Sequence, residues 1–169
     1  MSMATALTKE ELVASLQNEV RILLHLAGKI DRGQLDYRPT PKQRSTIELL
    51  RYLSIMGPGL LPSIKAGAFD QVTWLASLES AKAMNFDEVI ASIEKQTNGY
   101  AALLNEFSDA DLRGEIEMFG QKRSRGFFIV NLVLSGCAAY RTQLFMYLKS
   151  CGREELSTMN LWGGMDAPA

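Results

Sequence analysis

Four stretches of the chain carry apolar residues at the spacing of three and four positions that is typical of one face of an α-helix. Two of them open with a capping box, in which the first side chain and a glutamate three positions later each accept a hydrogen bond from a free backbone N–H. These boxes pair Thr8 with Glu11 and Ser45 with Glu48. The third stretch begins near residue 85 or 87, and the fourth covers about residues 125–150. We therefore predict an all-α four-helix bundle with long connections.

The connections carry weaker patterns. Pro58 and Pro62 fall inside the second apolar stretch, so we expect a kink or an interruption there. Between helices two and three, residues 67–84 are either a short extra helix capped by Asp70 or a partly ordered excursion. Residues 115–119 alternate between polar and apolar side chains, which is typical of a short extended piece. No convincing sheet is expected beyond this.

The last helix is apolar around much of its circumference, which indicates burial on two sides. It is either the central helix of the bundle or one that also packs against another subunit. Trp162, in the loop-like segment after it, is expected to dock on the bundle or on a partner chain. We therefore predict a homodimer, in which each chain is one domain over residues 1–169 with tails at 1–7 and 153–169.

Composition narrows the function classes. Apolar residues make up 47% and charged residues 22%, and the net charge is −1. These values are ordinary for a globular protein, and the charge balance does not favour nucleic acid or an anionic membrane surface. No apolar run reaches the roughly 20 residues that span a bilayer, and the N-terminus has no basic start or apolar run of a secretory signal. We expect a cytoplasmic protein.

Few residues carry obvious chemistry. His25 is the only histidine and is expected on the surface or at a groove edge. Cys137 and Cys151 show no metal-binding spacing and are expected to be reduced. A small basic cluster precedes the last helix and consists of Lys122, Arg123 and Arg125. It is either a solvated loop or an anion site at the helix N-terminus.

Two stretches resemble the DinB/YfiT-like superfamily, which includes proteins named as DNA-damage-inducible. LDYRP at 35–39 followed by STIELLRYL at 45–53 is similar to the family's run after the first helix, and AAYRTQLFMYLKSCG at 138–152 is similar to its ending. The resemblance implies a bundle, commonly dimeric, often with a divalent metal held by three histidines. The corresponding positions here are Tyr52, Gly136 and Tyr140, so we expect a degenerate metal site with no metal and no cofactor.

The favoured interpretation is a degenerate member that binds a small ligand in the remnant cleft or acts through self-association. An alternative is that the tyrosines only fill the space that the ion would occupy. The residues expected around the cleft are Tyr52, Glu48, Gly136, Cys137, Tyr140, Gln143 and Tyr147.

An enzyme remains the second hypothesis. It would be a thiol- or metal-dependent transferase or hydrolase with a reshaped site. Cys137 is the candidate nucleophile, and Arg141, one helical turn away, would lower its pKa. A site of Glu48, Cys137 and Tyr52 is a further metal-binding possibility. DNA binding is the third hypothesis, and the neutral charge and the lack of a helix-turn-helix signature argue against it.

Overall fold

The structure is a computed structural model that describes residues 7–168. Its helices are α1 (Lys9–Ala27), α2 (Thr46–Ala66), α3 (Gln71–Lys82), α4 (Phe86–Asn105), α5 (Asp109–Arg113), α6 (Arg125–Phe128) and α7 (Ser135–Ser150). A 3-10 turn spans Arg32–Gln34, and π-helical segments span Ile129–Leu134 and Met159–Gly163. Strands β1 (Glu115–Met118) and β2 (Gln121–Ser124) form an antiparallel hairpin.

Four long helices enclose the core. α1 packs against α4 and α7, and α2 also packs against both, so the helices close into a ring around one apolar interior. Side chains from all four helices are fully excluded from solvent there, among them Leu16, Leu50, Ile93 and Leu144. The all-α prediction is confirmed.

The helix starts follow the capping residues. Thr8, Ser45 and Asn85 each form a complete capping box with the glutamate three positions on. Asp70 caps α3 by accepting a hydrogen bond from the backbone N–H of Thr73, so the 67–84 segment contains the short extra helix rather than a partly ordered excursion. The extended piece expected near 115–119 is β1, although its pairing with β2 and the short helix α5 were not predicted.

α2 continues through both prolines to Ala66, so of the kink or interruption expected there, the interruption is wrong. Pro58 has no N–H, which leaves the carbonyl of Ser54, four residues earlier, without its helical donor. The side chain of Gln96, from α4, supplies one instead. Its Nε2 donates to the carbonyls of Leu53 and Ser54 at 2.9 and 3.0 Å. A neighbouring helix therefore compensates for the break in the α2 hydrogen-bond ladder.

The last helix keeps its predicted extent but is not α-helical throughout. A π-helical segment, Ile129–Leu134, joins α6 to α7. Such segments insert an extra residue per turn and are frequent at functional sites. This one lies directly before Gly136, one of the predicted cleft residues.

The basic cluster before the last helix does not converge on one point. Arg125 donates from Nε to the last carbonyls of α2, at 3.1 Å each. Lys122 lies 3.7 Å from the carboxylate of Glu115, and the guanidinium of Arg123 lies over the Phe127 ring at 5.8 Å. Each cation therefore has its own partner, which favours a structural role over an anion site.

The segment after α7 folds back onto α1. Leu156 and Asn160 are buried there, and the amide nitrogen of Asn160 lies 3.1 Å from Nε2 of His25. The single histidine is thus partly covered by the tail. Trp162, expected to dock on the bundle or on a partner chain, is 70% exposed on this chain, and the guanidinium of Arg141 lies over its ring at 5.4 Å from the centroid. Of the N-terminal tail, residues 1–6 lie outside the described part of the chain.

A buried ion pair connects this region to the core. Arg141 is 4% exposed and donates from Nε to the carboxylate of Glu19 at 2.5 Å. It also donates to the carbonyl of Leu161. The pair joins α7, α1 and the C-terminal segment. Within residues 7–168, no helix combines the length and apolar character required to cross a bilayer.

Candidate functional site

The seven predicted cleft residues divide into three groups. Tyr52, Gly136 and Tyr140 line an open groove between α2, α3 and the last helix. Cys137 points into the core instead. The remaining three, Glu48, Gln143 and Tyr147, have structural partners and do not line this groove.

Gln143 and Tyr147 hold the connector that precedes α2. The Tyr147 hydroxyl donates to the carbonyl of Arg44 at 2.8 Å and accepts from Nε2 of Gln143 at 2.5 Å. The Tyr147 ring packs edge-on against Tyr37 at 5.5 Å between centroids. Both hydrogen-bonding groups are therefore engaged within the protein.

Glu48 serves mainly as a cap. Its carboxylate accepts from the backbone N–H of Ser45 at 2.7 Å and lies 3.2 Å from the guanidinium of Arg38. The hydrogen bond from the Ser45 backbone, followed by the charge of Arg38, holds the pKa of this carboxyl below its usual value, so the side chain is ionised at neutral pH. A capping carboxylate with its own cation is poorly suited to general-base catalysis.

The groove has a volume of about 540 Å³. Aromatic rings run along it in a continuous ladder. Between centroids, Phe119 lies 5.3 Å from Phe69, Phe69 5.6 Å from Trp74, Trp74 6.1 Å from Tyr52, and Tyr52 5.1 Å from Tyr140. These separations are in the range of favourable aromatic pairs. The ladder offers several apolar faces and edges to a flat molecule.

The hydroxyl of Tyr52, one of the two tyrosines of the ladder, is protonated at neutral pH. Burial, followed by the neighbouring Tyr140, raises the pKa of Tyr52 to about 12. A neutral phenol can donate or accept a hydrogen bond, but it is a poor ligand for a divalent cation. The tyrosine pair therefore suits polar recognition.

Gly136 faces a methionine. A Cβ built on Gly136 would lie 3.0 Å from Sδ of Met56 and 3.1 Å from its Cε, so the space beside the glycine is already filled. Within residues 7–168, no three His, Cys, Asp or Glu side chains come together as metal ligands. The residues at the positions that the resemblance assigns to a divalent metal do not fit that ion.

Cys137 is not an activated thiol. It is 8% exposed, and its sulfur lies 3.8 Å from the hydroxyl of the buried Tyr100. Burial raises the pKa of Cys137 to about 11, although Tyr100 and the charge of Arg141 act in the opposite direction. Arg141 was expected to lower this pKa. It contributes in that sense, but its charge is compensated by Glu19 and desolvation prevails.

Three aromatic residues of the groove were not predicted from the sequence. Phe69 and Trp74 come from the segment around α3, and Phe119 comes from the tip of the hairpin. Phe119 has a φ of 52°, which is an unfavourable conformation for a bulky side chain. A bulky aromatic directly before Gly120, at a tight turn where asparagine or glycine is favoured, was the available signal.

No protein-family model and no curated protein sequence matches this chain. Among solved structures, it is similar to the crystal structure of a DinB-like protein, YjoA, from Bacillus subtilis. The two are 20% identical and superpose with a TM-score of 0.65, over 86% of this chain and 95% of the other. At this identity the similarity concerns the fold, and the expected architecture is confirmed: this chain has the four-helix fold of a DinB-like protein.

Proposed function

We propose that the protein binds a small molecule with a flat apolar part in the groove between α2, α3 and the last helix, without a metal ion. The observation that carries the proposal is the ladder of aromatic rings bordering an open space of about 540 Å³. This volume is in the range of small-molecule sites, which are typically apolar and aromatic with a few polar groups. The alternative of tyrosines that only fill the ion's place leaves this space unexplained.

The backbone around the groove supports a binding role. The π-helical segment supplies Asn131 and Leu132 to the groove wall, and Phe119 reaches it from a strained turn. Strained and irregular backbone is concentrated at functional sites, because stability alone selects against it. Phe119 is also 58% exposed, so its ring is accessible to a molecule in the groove.

Ligand binding can be tested by blocking the groove. Ala139 lies on the groove wall, so Ala139→Trp should fill part of the space. Ala102→Trp is the matched control, since Ala102 is exposed on α4 and outside the groove. With 2-naphthylmethanol as the probe in calorimetric titration, we expect binding to the wild type and to the control, and at least about tenfold weaker binding to Ala139→Trp.

Two results would refute the proposal. One is the absence of measurable binding of this flat probe to the wild type, and the other is equal binding to both tryptophan variants. The proposal that the groove binds its ligand without a metal ion has its own test. Stoichiometric zinc, nickel or iron in the purified protein would contradict it and would favour the metal-dependent transferase or hydrolase.

A second proposal is self-association into a homodimer. It is supported by large apolar side chains that remain outside the bundle, including Trp162 at 70% and Met146 at 55% exposure. Sedimentation should give about twice the chain mass of 18.7 kDa at micromolar concentration. Met146→Glu should shift the protein toward the monomer, whereas the same change at exposed Ala102 should not. A wild-type monomer would rule the dimer out.

The remaining expectations rest on the sequence. A cytoplasmic location, the lack of nucleic-acid binding and any link to the DNA-damage response stay predictions. The thiol-dependent enzyme has less support, because burial keeps Cys137 protonated.

A further inference from the structure

A smaller pocket of about 260 Å³ lies between α2 and α3. Tyr52 belongs to the walls of both this pocket and the aromatic groove. The other walls differ sharply in chemistry, since the small pocket is lined by Arg44, Arg51 and Lys82. The aromatic groove and this basic compartment therefore adjoin at Tyr52.

The compartment has an excess of positive charge. Among the described residues that line it, Glu48 is the only acidic one, and that carboxylate is already bound by Ser45 and Arg38. Arg51 donates from Nε and Nη2 to the carbonyl of Met84, which fixes its position without neutralising its charge.

The other two cations differ in how they are paired. Lys82 forms an exposed ion pair with Glu79, of a kind that contributes little and exchanges readily. Arg44 has no carboxylate partner within the described part of the chain, and its guanidinium lies over the Tyr52 ring at 4.0 Å from the centroid. Stacking on an aromatic face orients a guanidinium while leaving its N–H donors free for a ligand.

We propose that the ligand of the aromatic groove carries an oxyanion, a carboxylate or a phosphate, that is held by Arg44 and Arg51 beside Tyr52. This inference rests on the proposed small-molecule function and specifies the ligand as a flat apolar body with one anionic end. Arginine suits this role because its planar fork of donors matches both oxyanions. The Tyr52 hydroxyl stays protonated and so adds no negative charge beside the two arginines.

The test compares ligands that share one apolar body. 2-Naphthoate, 2-naphthyl phosphate and the neutral 2-naphthylmethanol are titrated calorimetrically into the wild type, Arg44→Gln and Lys42→Gln. Lys42 is exposed, two residues from Arg44, and does not line the pocket, so its variant removes the same charge without touching the site.

We expect at least one anion to bind about tenfold more tightly than the alcohol, and Arg44→Gln to remove most of that preference while Lys42→Gln retains it. Added salt should weaken the binding of the anions and leave the binding of the alcohol unchanged. The tighter of the two anions identifies the headgroup as carboxylate or phosphate.

Failure of this inference is distinguishable from failure of the proposed function. Equal binding of the anions and the alcohol, or an anion preference that survives Arg44→Gln, would overturn the anionic subsite and leave the groove as a binding site. If 2-naphthylmethanol does not bind measurably to the wild type, the proposed function itself fails, and the subsite with it.

Discussion

Replacing Gln96 with methionine tests how α2 passes through Pro58. The side chain is 5% exposed and donates to the carbonyls of Leu53 and Ser54, and the hydroxyl of Tyr100 donates to its Oε1 at 3.2 Å. Methionine has a similar length but no donor. The variant loses all three hydrogen bonds and leaves the Ser54 carbonyl buried without a partner.

The cost can be worked from these contacts. Each lost hydrogen bond contributes about 1 kcal/mol net, and an unsatisfied buried carbonyl adds about 1–3 kcal/mol. For the three lost bonds and the one unsatisfied carbonyl, we therefore expect Gln96→Met to lower the free energy of unfolding by about 4 kcal/mol. For a chain of this size that corresponds to a fall in Tm of about 10 °C. Urea and thermal denaturation followed by circular dichroism measure both quantities.

The decisive comparison repeats the change in a Pro58→Ala background. An alanine at position 58 has an N–H that can donate to the Ser54 carbonyl, so Gln96→Met should then cost about 1–2 kcal/mol less. Gln17→Met is the matched control, because Gln17 donates to the carbonyl of Thr97, far from any proline. Its cost should be the same in both backgrounds. Equal costs of Gln96→Met in the two backgrounds would refute the reasoning.

Three further predictions concern packing, charge and reactivity. Gly57→Ala should lower the free energy of unfolding by about 2 kcal/mol, because its Cβ would lie 1.9 Å from the hydroxyl oxygen of buried Tyr100. Gly99→Ala, which has open space around its Cβ, should raise the free energy of unfolding by about 1 kcal/mol, and urea denaturation measures both changes. Glu19→Gln should lower the free energy of unfolding by about 3 kcal/mol in the same assay, because it leaves the buried guanidinium of Arg141 without its counterion. A loss below about 0.5 kcal/mol would contradict this expectation. At pH 8, iodoacetamide should label Cys151 well before Cys137, because burial raises the pKa of Cys137 to about 11 and keeps that thiol protonated. Mass spectrometry measures the order of labelling, and the reverse order would contradict the prediction.

The local signals along the chain determine where the helices are. The capping residues Thr8, Ser45, Asp70 and Asn85 begin helices as expected, and the last helix ends at Ser150. A cap satisfies backbone donors within its own first turn, and an apolar stripe needs only one helix to be recognised. Both signals act over a few residues, so they can be read without knowing the tertiary structure.

Only the tertiary structure decides which residues form the groove and why α2 continues through its prolines. The continuity of α2 depends on Gln96, which is 38 positions beyond Pro58 in the chain. The aromatic groove joins Tyr52 to rings from α3 and from the hairpin, while Tyr147, expected at the same cleft, is bound to the connector before α2. These contacts join residues far apart in sequence, and such pairings follow from how the helices pack. The pattern along a single helix carries no record of which side chains another element will bring to it.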